Sequence, residues 1–193
     1  MQLIAATTNK GKLEEFCRIL SPLGVRVVSP ADLDLDLEVE ETGQTFAENA
    51  YLKAMAFYTL TGMPALADDS GLCVDALGGR PGIHSAHYQG NADYPQKLAA
   101  LLDELKDVPA GERTARYVCA ICCVMDEETV LRCQESCEGE IGFAPAGSSG
   151  FGYDPLFYRD GKSFGETPKK EKDAVSHRGK ALRAFVRLLR KEI

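Results

Sequence analysis

The segment from Thr114 to Met125 limits the possible folds of this chain more than any other stretch. When it is taken as a strand, both of its faces are apolar: tyrosine, cysteine and isoleucine lie on one, and valine, alanine and cysteine on the other. A strand that is apolar on both faces is typical of the centre of a sheet. Asp126-Glu127-Glu128 predicts a turn, and Thr129 to Glu138 predicts the hairpin partner of this strand.

Strands and helices alternate in the part of the chain that precedes this hairpin. Thr45 and Glu48 have the spacing of a capping box, which predicts that a helix begins there. Alternating elements followed by a hairpin indicate an α/β protein with a mixed sheet, and the length of 193 residues fits one domain over residues 1–193. The other predicted elements are strands at Leu3–Ala6 and Val25–Ser29, and helices at Lys12–Leu20, Thr45–Leu60, Asp93–Asp107 and from Ser176, the expected N-cap, onward.

Charge and hydropathy exclude several classes of protein. The net charge of −7 argues against a general nucleic-acid binder or a protein of anionic membranes, because both need a broad positive field. No apolar run approaches the roughly 20 residues that span a bilayer. The first six residues lack a basic leader, so we expect no signal peptide and a cytoplasmic protein.

The seven cysteines are expected to be buried, reduced and structural. Their odd number and the absence of an export signal argue against a disulfide framework. Cys119 and Cys122 have the spacing of a zinc finger, but residues three apart in a strand face opposite sides. With only His84, His87 and His177 available, we do not expect a zinc site.

Two adjacent carboxylates, Asp68 and Asp69, follow a short apolar run and precede Ser70-Gly71. This order predicts a strand that ends in a turn, with Gly71 in a backbone conformation that other residues avoid. Because neighbouring strand residues point to opposite faces, the two aspartates should have different roles. The alternative is that both are solvated turn formers, since Asp-Asp-Ser-Gly is ordinary turn chemistry.

Two polar segments could line a site for an anion. Thr7 to Lys12 connects the first strand to the first helix, and such a loop can present backbone N–H groups, hydroxyls and two lysines to a phosphate. It lacks the spacing of a Walker P-loop, and a plain strand–helix connection is the alternative. Thr45, Asn49 and Lys53 share one face of the second helix, where they either line a site or form a solvated face with an ion pair.

The stretch from Gly147 to Phe157 combines three glycines with the aromatic residues Phe151 and Tyr153. Glycines allow a backbone to approach a flat or anionic group, and an aromatic ring can stack on a nucleobase. The alternative is a glycine-rich turn with core aromatics. His177 and Arg178 follow on the first turn of the last helix, and Lys172 lies just before it.

Taken together and in this order, these segments resemble the inosine/xanthosine triphosphate pyrophosphatase family, which removes non-standard purine nucleoside triphosphates. The similarity covers residues 7 to 180, and each motif alone would be a weak signal. The matching residues are Thr8-Asn9-x2-Lys12, Glu41-Thr42-Gly43-x-Thr45-Phe46-x-Glu48-Asn49-Ala50-x2-Lys53-Ala54, Ala67-Asp68-Asp69-Ser70-Gly71-Leu72, Gly78-Gly79-x-Pro81-Gly82, Gly150-Phe151-Gly152-Tyr153-Asp154-Pro155-x-Phe157 and Ser176-His177-Arg178-Gly179.

The resemblance implies an elongated α/β fold of two lobes with a long mixed sheet, flanking helices and an active-site cleft between the lobes. It also implies a homodimer and Mg²⁺-dependent hydrolysis of ITP, dITP or XTP to the monophosphate and pyrophosphate. Asp69 would be the general base, and Glu41 and Asp69 would hold the metal. Thr7 to Lys12, Lys53 and Lys172 would hold phosphates and sugar, and Ser70 would contact the substrate. Phe151 to Asp154, His177 and Arg178 would recognise the base. The substrate would therefore contact Thr7, Thr8, Asn9, Lys10, Gly11, Lys12, Lys53, Ser70, Phe151, Gly152, Tyr153, Asp154, Lys172, His177 and Arg178.

Selectivity should depend on the 6-oxo group of the purine, because donors built for that oxygen stay unpaired when an amino group replaces it. Arg178 and the loop amides are the candidate donors. Two positions depart from the family pattern: His87 stands where Arg is usual, and Thr8 stands where Gly before Asn is common. A pyrophosphatase for modified pyrimidine nucleotides and a nucleotide sensor that does not hydrolyse its ligand are the alternatives.

Overall fold

The segment predicted as a central strand lies in the middle of one mixed sheet. The structure is a computed structural model that describes residues 1–90 and 92–192, and within those residues seven strands occur in the order β2-β1-β3-β4-β5-β6-β7. β1 pairs in parallel with β2 and β3, whereas β6 pairs antiparallel with β5 and β7. The strands are β1 (Gln2–Ala5), β2 (Arg26–Val28), β3 (Ala65–Val74), β4 (Thr114–Val124), β5 (Val130–Ile141), β6 (Phe157–Arg159) and β7 (Lys162–Ser163).

The same described residues form five α-helices, which together with the sheet confirm the predicted α/β class. Asn9 caps the first helix, because its side chain accepts from the backbone N–H of Lys12, and the helix therefore begins at Lys10 rather than at Lys12. Every helix in this part of the chain is too short or too polar to span a bilayer. The helices are α1 (Lys10–Leu20), α2 (Phe46–Thr61), α3 (Tyr94–Glu104), α4 (Lys169–Val175) and α5 (His177–Glu192).

The helix starts agree with the predicted caps in part. Thr45 caps α2 as expected, but the carboxylate of Glu48 accepts from the N–H of Gln44 rather than from that of Thr45. α4 was not predicted, because it is a helix of two turns without an apolar stripe. Ser176 was expected to cap the last helix, and the structure shows it as the C-cap of α4, where its N–H donates to the carbonyl of Lys172.

The prediction that a strand ends at Asp68 was wrong. β3 continues through both aspartates to Val74, and Gly71 lies inside this strand without a positive φ. The aspartates do follow the end of a neighbouring strand, because Ala5, the last residue of β1, pairs with Leu66. On its other side, however, β3 pairs with β4. Buried partners for the two carboxylates make a strand position possible for residues that usually form turns.

The chain divides into two compact units. The first comprises Met1–Asp69, Cys119–Glu135 and the chain from His177 onward. In it, Cys119, Ile121 and Cys123 pack with α1 and α5 on one face of the sheet, and alternate residues of β4 pack with α2 on the other. β4 is therefore apolar on both faces, as predicted.

The second unit comprises Ser70–Val118 and Ser136–Ser176. Its core combines the end of β3, the start of β4 and the apolar face of α3 with Phe157 and Phe164. Whether residues 1–193 act as one domain with a cleft between two lobes stays a prediction.

All seven cysteines are free thiols, and Cys119, Cys122, Cys123 and Cys137 are buried as expected. The expectation was wrong for the other three cysteines, which are half-buried. Burial raises the pKa of Cys123 to about 12, so this thiol stays protonated at neutral pH.

Candidate active site

Asp68 and Asp69 point to opposite faces of β3, as the sequence predicts, and each contacts a different set of charged residues. Asp68 lies on the face that α1 and α5 cover, with Lys12, Glu15 and Arg178 around it. Asp69 lies on the face that α2 covers. Both carboxylates are buried, so the alternative of two solvated turn formers is excluded.

The polar stripe of α2 faces Asp69. Asn49 Nδ2 donates to Asp69 Oδ2 at 3.1 Å, and Lys53 Nζ lies 3.9 Å from Asp69 Oδ1. The same ammonium makes a short ion pair with Glu41 Oε1. Asn49 is buried and Lys53 is largely so, which excludes a solvated helix face. Thr45, the third member of the stripe, caps the helix.

Gly43 allows the segment that carries Glu41 to approach α2 closely. Its N–H donates to Asn49 Oδ1 at 2.8 Å, and a Cβ at this glycine would lie 2.6 Å from the same oxygen. Any side chain here would push the segment away from the helix. Gly43 thereby keeps Asn49 oriented toward Asp69. The oxygen of the Asn49 amide accepts from Gly43, so its nitrogen points to Asp69.

The electrostatic environment makes Asp69 a better base than an ordinary aspartate. Burial raises the pKa of Asp69, the nearby Glu41 raises it further, and the positive charge of Lys53 opposes both effects. Burial alone would lower the pKa of Lys53, but Asp68, Asp69 and Glu41 outweigh it, so the pKa is raised and the ammonium stays charged. A carboxylate with a raised pKa is typical of a general base.

Asp68 has the opposite character. Burial would raise its pKa, but the charges of Lys12 and Arg178 outweigh burial and hold the pKa of Asp68 well below its usual range. Arg178 Nε and Nη2 donate to Asp68 Oδ2 at 3.1 and 3.0 Å, and Nη1 donates to Glu15 Oε2 at 2.6 Å. Lys12 Nζ lies 3.1 Å from the same Oδ2. Asp68 is therefore ionised at neutral pH and acts as a structural anion.

Thr7 to Lys12, the six residues predicted to bind phosphate, span the end of the β1–α1 loop and the first turn of α1, and three of them are exposed: Thr8, Asn9 and Lys10. Thr7 Oγ1 accepts from the N–H of Asn9 at 3.2 Å, which shapes the loop. Thr7, Gly11 and Lys12 are half-buried, and Lys12 extends to Asp68. The loop thus presents Lys10 and the first N–H groups of an eleven-residue helix, a combination suited to an anion.

In the second unit, Asp154 holds the aromatic segment together. Its Oδ2 accepts from the N–H of Phe151 at 2.8 Å and from Lys172 Nζ at 2.7 Å, and its Oδ1 lies 3.4 Å from Tyr117 Oη. Lys172 Nζ also lies 4.9 Å from the centre of the Phe151 ring. The resemblance assigns Lys172 to phosphates and sugar, but two of its contacts here, Asp154 and Phe151, are residues predicted to recognise the base.

The two predicted aromatic residues lie in different places. Phe151 is half-buried, whereas the ring of Tyr153 lies in the core of the second unit, in edge contact with Tyr94. Tyr153 Oη donates to the carbonyl of Ser85 at 2.8 Å. For this ring the alternative, a core aromatic in a glycine-rich turn, was right, because its hydroxyl has a buried partner.

The remaining predicted residues lie as follows. Ser70 follows Asp69 in β3 and is half-buried, while Gly152 has a φ of +67°. His177 and Arg178 occupy the first turn of α5, and both are buried. His87, the position that departs from the family pattern, is exposed.

Glu15 and Tyr117 were not predicted as site residues from the sequence, and Gly43 was identified only as part of the motif that contains Glu41. Glu15 lies three residues after Lys12 on α1, so the two side chains share one face of that helix. An acid three residues after a predicted site lysine, and next to the buried Phe16, was a usable signal. Tyr117 gave none, because a tyrosine in an apolar strand is ordinary core sequence.

Gly150→Ala tests how tightly the Asp154 group is built. Gly150 has a φ of +74°, and its Cβ would collide with Asp154 Oδ2. The matched control is Gly161→Ala, at a φ of +78° with no atom within 4 Å of the new Cβ. We expect Gly161→Ala to lower the free energy of unfolding by about 1 kcal/mol through backbone strain, and Gly150→Ala to lower it by about 2 kcal/mol more. Urea unfolding measures both, and equal losses would show that Asp154 is not held in place.

The donor set around Lys53 fits a magnesium ion. Within the described part of the chain, no group of three or more His, Cys, Asp or Glu side chains surrounds a common point. Glu41 and Asp69, however, both contact one ammonium, so two carboxylates converge on a cation. Magnesium is commonly held by one or two carboxylates, with water and substrate phosphate completing its shell.

Comparison with known proteins agrees with these motifs. The model of the Ham1 family matches residues 3–188. The chain is 48% identical to the dITP/XTP pyrophosphatase of Shigella flexneri over 194 positions, covering 98% of both chains. It is 46% identical to the dITP/XTP pyrophosphatase of Geobacillus kaustophilus, covering 94% of this chain and 90% of that protein.

Two solved structures have the same fold. The Staphylococcus aureus Ham1 protein superimposes with a TM-score of 0.87 at 35% identity, covering 100% of both chains. A HAM1 protein from Coxiella burnetii superimposes with a TM-score of 0.88 at 37% identity, covering 99% of both chains.

Proposed function

Because this chain belongs to the Ham1 family, we propose that it hydrolyses the non-standard purine nucleoside triphosphates dITP, XTP and ITP to the monophosphate and pyrophosphate. Relatives that match almost the whole chain carry the name dITP/XTP pyrophosphatase. The observation that carries the proposal is the contrast between two adjacent aspartates: Asp68 is fixed as an anion, and Asp69 has a raised pKa beside Glu41 and Lys53.

Asp69 is the general base of this proposal. Its carboxylate accepts a proton from water as the water oxygen attacks the α-phosphorus, and the bond from that phosphorus to the bridging oxygen breaks to release pyrophosphate. Asn49 donates to Oδ2 and so leaves Oδ1 as the oxygen that faces Lys53 and Glu41. The amide orients the carboxylate, and this orientation matters because proton transfer needs hydrogen-bond geometry.

Glu41 and Asp69 would hold the magnesium ion. When bound, such an ion neutralises charge on a triphosphate and lowers the pKa of coordinated water. Thr7 to Lys12 is assigned to phosphate because its hydroxyls, N–H groups and Lys10 lie around the start of α1. Lys53 is assigned to phosphate as well.

Residues of the second unit are assigned to the base, and Ser70 is assigned to substrate contact. The ring of Phe151 and the backbone of Phe151 to Asp154 are proposed to contact the purine, with Lys172 held beside them by Asp154. Donors from the loop amides to a 6-oxo group would discriminate against adenine by about 1–3 kcal/mol per buried group. His177 and Arg178, which lie in the first turn of α5, are also proposed to contact the substrate. The Arg178 side chain donates to Asp68 and Glu15, so we assign it to fixing Asp68 rather than to the base.

We further propose that residues 1–193 act as one catalytic domain, that the protein is a homodimer, and that it works in the cytoplasm. The family match over residues 3–188 supports a single domain. The homodimer is proposed from the family resemblance. The cytoplasm is proposed because the nucleotide pool is replenished there.

A nucleotide panel tests the proposed function. With Mg²⁺, we expect dITP, ITP and XTP to release pyrophosphate at least about tenfold faster than dATP, which lacks the 6-oxo group, as measured by kcat/KM. Omission of Mg²⁺ should abolish release. Faster turnover of methylated pyrimidine triphosphates or dUTP would favour the pyrimidine enzyme, and tight binding of ITP without pyrophosphate release would favour a sensor.

A further inference from the structure

We propose that Lys53 is a built-in cation that occupies the magnesium position of the metal-free protein and leaves it when the ion binds. The proposal deepens the proposed function and rests on Glu41 and Asp69 as the metal-binding residues. It predicts that Lys53 weakens binding of the free metal while it strengthens binding of the nucleotide.

The contacts of Lys53 are those that a bound cation would make. Its Nζ forms a short ion pair with Glu41 Oε1 and lies 3.9 Å from Asp69 Oδ1. Asn49, one turn earlier on α2, donates to the other oxygen of Asp69. Asp69 Oδ2 therefore accepts from the amide that orients the carboxylate, and Asp69 Oδ1 faces the position of the positive charge.

Burial explains why this position needs a cation before the metal arrives. The side chain of Asp69 is 6% exposed, that of Lys53 13% and that of Glu41 25%. Two carboxylates that converge in such surroundings repel each other, and an ammonium between them removes that cost. Lys53 reaches this place along an unbranched stem from α2, so it can withdraw by rotation about its own bonds without movement of the helix.

Lys53 and magnesium cannot use these oxygens at the same time. Magnesium requires oxygen ligands at about 2.1 Å in octahedral geometry, and the ammonium of Lys53, hydrogen-bonded to Glu41 Oε1 and 3.9 Å from Asp69 Oδ1, would be repelled by an ion bound to these oxygens. Binding of one therefore opposes binding of the other, and by linkage the penalty is equal in both directions. An ammonium that is released beside a metal site is then free to contact an anion.

The anion that fits is the phosphate chain that arrives with the metal. A magnesium–nucleotide complex supplies both the ion that displaces Lys53 and the negative oxygens that receive it. Free magnesium supplies only the first, so it must displace the ion pair without compensation. The exchange would make the site weak for free metal and strong for the metal–nucleotide complex.

The test is the Kd for Mn²⁺ in the nucleotide-free protein, measured by the loss of the free-ion EPR signal. Lys53→Met keeps a stem of similar length without the charge, and we expect it to lower this Kd by about tenfold. Lys191→Met, which removes a charge from the exposed last turn of α5, is the matched control and should stay within about twofold of wild type. Glu41→Gln should abolish this binding. The KM for dITP should rise in Lys53→Met, opposite in direction to the metal effect.

Two further outcomes separate failure of the exchange from failure of the site. If Glu41→Gln abolishes Mn²⁺ binding but Lys53→Met binds no tighter than wild type, the exchange is wrong and the metal site stands. If wild type and Glu41→Gln bind Mn²⁺ equally, the metal site is wrong, and the exchange is overturned with it. Lys53→Gln repeats the test should Lys53→Met fail to fold, and NMR of ¹³C-methylated lysines in wild type provides a second measurement, since the Lys53 resonance should shift when Mg²⁺ is added.

Discussion

Asp69→Asn is expected to lower the turnover of dITP by at least about a thousandfold while nucleotide affinity stays within about threefold of wild type. Asparagine has nearly the same shape and can still accept from Asn49 Nδ2, which contacts Asp69 at 3.1 Å. It cannot accept a proton at neutral pH, and it offers a weaker ligand to a cation. The substitution therefore removes the base and leaves the surroundings in place.

Steady-state pyrophosphate release with Mg²⁺ measures the turnover, and calorimetric titration with a non-hydrolysable analogue measures affinity. The control is Asp126→Asn in the exposed turn between β4 and β5, which should leave turnover unchanged. Near-normal kcat in Asp69→Asn would show that another group takes the proton. Lost nucleotide binding at normal folding would instead show that the carboxylate serves mainly in binding.

The same variant should not be less stable than wild type in metal-free buffer at pH 7. Burial raises the pKa of Asp69 above its ordinary value, so the folded state disfavours the ionised form more than the unfolded state does. The contribution of this group to stability is complete below its unfolded pKa, near 4, and is lost as pH rises through the folded value. Replacing the ionised carboxylate with a neutral amide removes this loss of stability at pH 7. Thermal unfolding of Asp69→Asn should therefore occur at the same temperature as that of wild type or at a higher one.

The sequence predicts the sheet better than it predicts the buried charges. β4 was predictable because an apolar residue at every position from Tyr117 to Val124 leaves only the centre of a sheet as a place for the strand. The end of β3 was not, because Asp-Asp-Ser-Gly has turn composition and only tertiary partners, among them Lys12 and Arg178, keep those carboxylates in a strand. Composition cannot report a partner that lies more than a hundred residues away.

Local spacing predicted that Asn49 and Lys53 share one helix face, whereas the contacts of Asp68 with Arg178 and Lys12 needed the structure. Asn49 and Lys53 lie four residues apart on one helix, so a shared face follows from helical geometry alone. Arg178 meets Glu15 and Asp68 only because α1 and α5 pack on the same face of the sheet. Tyr153 shows a similar limit, because its glycine-rich surroundings fitted both a ring that stacks on a base and a core aromatic, and only the structure places the ring in the core.

Arg178→Met is expected to lower the free energy of unfolding by about 3–5 kcal/mol, the largest stability loss that we predict for a single substitution. Arg178 is 2% exposed and donates three hydrogen bonds to two buried acids, Asp68 and Glu15. Methionine fills much of the same volume without charge, so the loss would come from two buried carboxylates that no longer contact a guanidinium. Asp68 Oδ1 already lacks a hydrogen-bond partner within residues 1–90 and 92–192, so no hydrogen bond to this oxygen offsets the loss of Arg178.

Equilibrium unfolding in urea measures this loss. Arg187→Met, on the exposed side of the same helix, is the matched control and should stay within about 0.5 kcal/mol of wild type. Adding Glu15→Gln to Arg178→Met should recover about 1–3 kcal/mol, because it removes one of the two uncompensated charges. A loss below about 1 kcal/mol in Arg178→Met would mean that the ion pairs contribute little to stability.

The dependence on pH separates lost charge pairing from lost packing. In wild type the pKa of Asp68 is held well below its usual range: burial raises it, but Lys12 and Arg178 outweigh burial. The stability that this ionised group contributes is complete above its unfolded pKa, near 4, and is lost as pH falls toward the folded value. The stability deficit of Arg178→Met should therefore be full at pH 7 and shrink as the pH falls below about 4, since the aspartate of the variant can then be buried in its protonated form. A deficit that stays constant between pH 7 and pH 3 would assign the loss to packing.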